Sequence, residues 1–385
     1  MNDPMEVRNK LSRRAFLKSS TWGVAAAAFS ASCESRSPRD HSEPVVRTVL
    51  GPVTPDELGV TLTHEHAPTV DWSELYEAPV APITARRAAM LARTAQLLDA
   101  FHSTLGQDEG PGAIVEATPI RVGRYPRLLV ELAQQTKVHI IASTGFWCEA
   151  FAPQHPWAVR LSVAKDGARK MANLFVREIT SGMEDPAGAW GERFTDLRAG
   201  IIKVGTSTFL RPSERVINVA AAIANKETGC PITTHTTNGG GLEQARLLLR
   251  TGASPGSVVI GHQGYQDDRK NDEAHEYHVK LADLGVYVQF DRVGADDYSV
   301  ESQARQVKQL IDRGYVKQVL LSHDRVPYMY TDYAAAEKSE AGWDERQEDF
   351  TVITTRLVRA LGELGVSSAA IRTVLVENPA RMLAF

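Results

Sequence analysis

The chain has 385 residues, 43% of them hydrophobic and 23% charged, which is ordinary globular composition with length enough for one large core. A formal net charge of -4 leaves no basic footprint for nucleic acid. Cys33, Cys148 and Cys230 are too few for a disulfide framework.

Residues 1–33 read as an export signal rather than as part of the fold. Ser12-Arg-Arg-Ala-Phe-Leu-Lys18 is basic, Trp22–Phe29 is a short apolar run, and small residues lead to Cys33. The apolar run is far below the roughly 18 residues that span a bilayer. The paired arginines resemble a twin-arginine signal, an address read by the export machinery that carries folded proteins. The expected location is therefore extracytoplasmic or periplasmic, and Cys33 is a candidate first mature residue carrying a lipid anchor. Residues 34–45 are polar and Pro-rich and read as a linker.

From residue 46 onward, apolar β-branched runs alternate with amphipathic stretches. Val45–Val49 reads as a cap strand. The following runs are Gly59–His66, Ala113–Thr118, Val138–Thr144, Ala199–Gly205, Pro231–Thr236, Ser257–His262, Val286–Asp291 and Gln318–Asp324. Helices are expected over Ala85–Thr104, Arg127–Thr136, Val159–Ser181, Ser213–Thr228, Gly241–Thr251, Asp272–Leu284, Ser302–Arg313 and Ser367–Phe385. Alternation of this kind builds parallel βαβ units, and near-continuous apolar runs fit strands covered on both faces. Eight such strands suggest a closed (β/α)8 TIM barrel over 46–385, of the size usual for that fold. An open doubly wound sheet is the alternative, although no Gly-rich phosphate fingerprint follows the first strand. Residues 325–347, with Tyr328, Tyr330, Tyr333 and Trp343, read as a long functional loop.

In such barrels the C-terminal strand ends carry the chemistry. The first strand ends in Thr61-Leu-Thr-His-Glu-His66. Side chains alternate along a strand, so His64 and His66 share a face and Glu65 takes the other. Lys203 lies inside the fourth apolar run; the fifth ends near His235, and His262 and Asp324 end the sixth and eighth. Each has a plainer reading. The two first-strand histidines could sit in a turn, His235 and His262 could be satisfied core residues, Lys203 could pair with a buried acid or extend to water, and Asp324 could cap a helix. Their common placement at strand ends favours a shared metal site.

The chain resembles the phosphotriesterase family of the amidohydrolase superfamily, in its phosphotriesterase-related and lactonase branch. The resemblance rests on Arg47–Gly59 leading into Thr-His-Glu-His66, on Val115-Glu-Ala-Thr118 with Gly123-Arg124, and on Ser143-Thr-Gly-Phe-Trp147. It continues through Ile201-Ile-Lys203, Thr234-His235, Ile260-Gly-His262, Phe290-Asp-Arg-Val-Gly294, Ser322-His-Asp324 and Glu377-Asn-Pro379. It implies two divalent metal ions, commonly zinc and sometimes cobalt, iron or manganese. His64, His66 and Asp324 would hold the buried ion, and His235 and His262 the exposed one. Lys203, carboxylated by carbon dioxide, would bridge them as a carbamate. A hydroxide between the metals would be the nucleophile and Asp324 would accept or steer its proton.

The pattern departs from the family at Tyr265, which stands three residues after His262 where relatives often carry a proton-shuttling Asp. Asp267 and Asp268 follow. Arg292 is similar to the arginine of the lactonase branch, with a salt bridge across the barrel mouth as its plainer role. Trp147 stands where that branch lines its pocket with an aromatic ring. The resulting expectation is a metal-dependent hydrolase of a carboxylic ester, a lactone in particular, with promiscuous phosphotriesterase activity. A true organophosphate triesterase (aryldialkylphosphatase) and a non-catalytic binding protein on the same barrel are the alternatives. Family members are often homodimers.

Overall fold

The structure, a computed structural model, describes residues 43–67, 81–120, 122–148, 155–188, 190–237, 239–264, 271–295, 298–330, 343–345 and 349–385. The expected export signal, most of the linker, Tyr265, Asp267, Asp268 and much of the 325–347 loop lie outside these residues. Pro44–Phe385 form one compact unit.

Val46–Thr48 (β1) does not stand alone as a cap strand. It pairs antiparallel with Gly51–Val53 (β2) in a hairpin. Among the described residues, the eight-stranded sheet is Thr61–Glu65 (β3), Ala113–Glu116 (β4), His139–Thr144 (β5), Ile201–Thr206 (β6), Ile232–Thr236 (β7), Val258–Ile260 (β8), Tyr287–Phe290 (β9) and Val319–Leu321 (β10). Each strand pairs parallel with its neighbour in chain order. The edge strands β3 and β10 meet through other bonds. The Thr63 hydroxyl donates to the Leu321 carbonyl at 3.1 Å, and the His64 amide donates to the Ser322 hydroxyl at 2.8 Å. The sheet is a (β/α)8 barrel and not an open doubly wound layer.

The helices between the strands are Ala81–Ser103 (α1), Pro126–Ala133 (α2), Pro156–Ser162 (α3), Gly167–Thr180 (α4), Pro212–Thr228 (α5), Gly241–Thr251 (α6), Asn271–Ala282 (α7) and Val300–Asp312 (α8). The single helix expected over Val159–Ser181 is therefore two. The break falls at residues 163–166, and Gly167, where a Cβ would lie 1.7 Å from the Leu161 carbonyl oxygen, opens the second helix at close range to the first. Tyr328–Tyr330 and Trp343–Glu345 pair as an antiparallel ribbon within the stretch expected to be loop. A helix at Val358–Glu363, entered by a π turn at Ile353–Leu357, fills a span to which no element had been given.

Two cores follow from strand alternation. Val115, Ile141, Ile201, Val259 and Leu320 fill the barrel interior, with Val46, Leu58, Met382 and Leu383 packed on the same cluster. Leu62, Ile114, Ile202, Val204, Ile260 and Val288 face the helices. On β6 the period of two puts Lys203 on the interior face with Ile201.

Candidate metal centre

The histidines of β3 reach the interior through an irregularity. Leu62 is opposite Ile114, but Glu65 is opposite Glu116, so β3 spends three residues where β4 spends two. Leu62 packs outward. An unbroken strand would send His64 outward with it. The extra residue shifts the phase and turns His64 and His66 inward, a known use of bulges beside active sites. Glu65, on the other face, binds the chain after β10. Its carboxylate accepts from the Ser322 hydroxyl at 2.7 Å, from the His323 Nδ1 and amide at 2.9 Å, and from the Arg325 amide at 2.8 Å.

β8 and β10 end before the residues expected to close them. His262 and Asp324 lie beyond, at φ 57° and 56°, the only non-glycine residues with positive φ among those described. Each such backbone costs about 1–3 kcal/mol and persists where surrounding bonds enforce it. The His262 amide donates to both Asp291 carboxylate oxygens at 2.9 and 3.1 Å, and the Asp324 amide donates to the His64 carbonyl at 3.1 Å.

The expected donors converge. Lys203 Nζ lies 2.5 Å from His64 Nε2. His66 Nε2 is 3.1 Å and His64 Nε2 3.6 Å from Asp324 Oδ1. His262 Nε2 is 2.7 Å from His235 Nδ1 and 3.9 Å from Asp324 Oδ2. Trp147 presents its ring edge-on to His235 at 5.4 Å between centroids. Arg292 Nε is 3.4 Å from Asp324 Oδ2, and its guanidinium also donates to the Tyr298 hydroxyl at 3.1 Å.

Asp291 is the group that reading by strand ends passed over. It is fully buried and takes the Nδ1 hydrogens of His64 and His262, each at 2.8 Å. Its signal was present, since it ends the apolar run of β9, but a carboxylate after a strand is more often a helix cap. Asp291 also lies within metal-binding reach of His64 and His262. Because it holds their Nδ1 atoms, their Nε2 atoms are turned toward the other donors, Lys203 and His235, and we assign Asp291 to orientation. Glu116 and Thr118 were likewise passed over as individual residues; Thr118 Oγ1 lies 2.8 Å from His66 Nδ1.

The electrostatics suit a cation site. Burial lowers the Lys203 ammonium to about 8, against the pull of Asp324 and Asp291. Burial, with His262 and Lys203 adding to it, drives the His235 imidazole well below its usual value. Burial also lowers His262, against Asp291 and Asp324. Burial alone would raise Asp291 and Asp324, but the surrounding histidines hold both well below the carboxylate range. Neutral imidazoles and ionised carboxylates are the forms that bind metals. The donor set therefore fits divalent ions: each of His64, His66 and His262 has Nδ1 held by a partner, leaving Nε2 toward the common centre.

A parallel eight-stranded barrel with nitrogen and oxygen donors gathered at its C-terminal rim defines a TIM-barrel protein with a candidate metal centre. The chain belongs to the phosphotriesterase family, whose model matches residues 44–383. It is 31% identical over 346 residues to the phosphotriesterase homology protein of Mycobacterium tuberculosis, covering 88% of this chain and 97% of that one. It is 28% identical to the N-acetyltaurine hydrolase of Danio rerio, over 88% of this chain and 98% of that one. It is also 28% identical to the aryldialkylphosphatase of Saccharolobus solfataricus, over 84% and 94%. Among solved structures, an organophosphate hydrolase engineered from a weak promiscuous lactonase template matches with TM-score 0.71 and 28% identity, over 88% of this chain and 99% of that one. An organophosphorus hydrolase variant from Deinococcus radiodurans matches with the same score and identity, over 89% and 98%. The named enzymes among these relatives are hydrolases, and the chain is read as one.

Proposed function

We propose that this chain hydrolyses carboxylic esters, lactones in particular, and turns over phosphotriesters as a slower side reaction. His64, His66 and Asp324 would hold one divalent ion, zinc first among the candidates, and His235 and His262 a second. Lys203 would stand between them as a carbamate. Its neutral amine, favoured by burial, forms a bond to carbon dioxide and gives up one proton. When bound, such ions polarise a substrate oxygen and lower the pKa of water to about 7.

The observation that carries the lactone reading is Arg292, whose Nε lies 3.4 Å from Asp324 Oδ2 while Tyr298 holds the other end of the guanidinium. Opening a lactone turns a neutral carbonyl into an oxyanion and then a carboxylate. A planar guanidinium at the barrel mouth matches that charge as it develops. Asp324 would take the proton, and Trp147, whose ring meets that of His235, would line the pocket beside it. The lactonase template of the engineered structural neighbour supports the same reading. A phosphotriesterase is the second reading, favoured by the aryldialkylphosphatase relative.

The test is a panel of γ- and δ-lactones against paraoxon-type triesters, with metal-replete protein and metal content measured alongside. The expected result is roughly two ions per chain, and kcat/KM for the best lactone above every triester by about tenfold or more, ~1.4 kcal/mol of transition-state preference. Faster triester turnover would replace the first reading with the second. Absence of bound metal and of all turnover would leave a binding protein. Lys203→Ala is expected to lose both activity and metal; full activity in that variant would remove its bridging role.

A further inference from the structure

His64 and His262 share a buried carboxylate. His66 does not, and its ring is the more exposed, with 14% of its side-chain surface open against none for His64. It nonetheless has a fixed partner. Thr118, two residues past the end of β4, places its hydroxyl 2.8 Å from His66 Nδ1 and donates that hydroxyl's hydrogen to Glu116 Oε1. Both residues are buried, at 0% and 1% exposure. The backbone around them is pinned on both sides. The Ala117 amide donates to the Glu65 carbonyl at 2.7 Å, and the Ser143 hydroxyl donates to the Thr118 carbonyl at 2.9 Å.

A hydroxyl has one hydrogen and two lone pairs. Glu116 accepts that hydrogen through Oε1 in either protonation state, since a carboxyl proton would sit on the unpaired Oε2, so Thr118 can only accept from His66. The hydrogen between them then belongs to Nδ1, and Nε2 keeps a lone pair on the side facing Asp324, 3.1 Å away. We propose that Glu116 and Thr118 are a positioning pair for His66: Glu116 orients the hydroxyl, and the hydroxyl sets the tautomer and ring plane that make Nε2 a ligand. It is the service Asp291 gives directly to His64 and His262, relayed here through one hydroxyl. The proposal rests on the metal-centre reading above.

Zinc affinity of the full chain, stripped and reloaded in competition with a chelator, tests it without reference to turnover. Thr118→Val keeps the shape and removes the hydroxyl; it is expected to weaken one of the two zinc sites about 10- to 100-fold and spare the other. Thr118→Ser, which restores the hydroxyl, should return that site to within about threefold of the parent, since only an unsupported ligand carries the larger loss. Equal zinc binding by parent and Thr118→Val overturns the positioning role while leaving the metal centre standing. Failure of a folded Thr118→Ser to rescue overturns it too, because the side chain would then matter only for packing. A parent chain that takes up no zinc removes both the centre and the pair. Should Thr118→Val not fold, Glu116→Leu against Glu116→Gln carries the comparison. The amide still accepts the hydroxyl and should retain zinc; leucine frees it to rotate and should lose affinity at the same site. Identical affinities would overturn the proposal.

Discussion

Asp291 sits where a charge is expensive, with no exposed surface, and is kept ionised by two imidazole N–H groups and the His262 amide. Burying an ionised carboxylate is tolerable only with this many charge-directed donors. The same bonds also enforce the left-handed backbone at His262, so one residue sets a ligand's ring and its main chain together. Asp291→Asn is nearly isosteric but presents one amide donor where two acceptors are needed. One imidazole must then give up its Nδ1 hydrogen bond or change tautomer. The expected result is a loss of metal affinity of about 10- to 100-fold with the fold intact, read by chelator competition beside far-ultraviolet circular dichroism. Undiminished affinity would mean that Asp291 does not orient the ligands.

At the level of strands and helices, regular alternation was readable in the sequence and departures from it were not. The apolar runs from Ala113 to Leu321 mark barrel strands to within a few residues, because burial on both faces leaves a continuous hydrophobic signature. His64, His66, Lys203, His235, His262 and Asp324 were legible as a group, since each alone has a plainer use but their common placement at strand ends points to one shared site. The split at Gly167 depends on close backbone approach, the left-handed turns at His262 and Asp324 on tertiary hydrogen bonds, and the bulge in β3 on its pairing with β4, none of which periodicity encodes. Gly145 makes the same point beside the site. It directly follows β5 at φ 112°, and a Cβ there would lie 1.9 Å from the carbonyl oxygen of Lys203. Gly51 has a similar φ of 128° with nothing within 4 Å of a Cβ. Alanine at Gly51 therefore meets backbone strain alone, on the order of 1–3 kcal/mol, whereas alanine at Gly145 must also displace a barrel strand. Urea unfolding of the two variants should show Gly145→Ala clearly the less stable; equal midpoints would mean that β6 yields there at no cost.

Across the whole molecule, buried ionisable groups make stability depend on pH from both directions. Burial holds His278, packed against the Phe290 ring with its Nε2 donating to the Gln263 carbonyl at 2.7 Å, down to about 4. In the unfolded chain it titrates near 6.5. Between those values the unfolded chain binds a proton that the folded chain refuses, so stability falls as pH drops from 6.5 toward 4, by up to ~3 kcal/mol from this group. Glu184 and Glu116 act in the opposite sense. Burial raises them to about 7 and about 8 from 4.5, so the folded chain keeps protons the unfolded chain has lost, and their contribution declines as pH rises above 4.5. The two carboxyls thus lean stability toward acid while His278 leans it toward neutrality. His278→Gln retains a donor for the Gln263 carbonyl and removes the titration. In metal-stripped protein its unfolding free energy should fall less steeply than the parent's between pH 6.5 and 4, with the curves converging in slope above 7. Parallel curves throughout that acid window would show that His278 takes up its proton without unfolding.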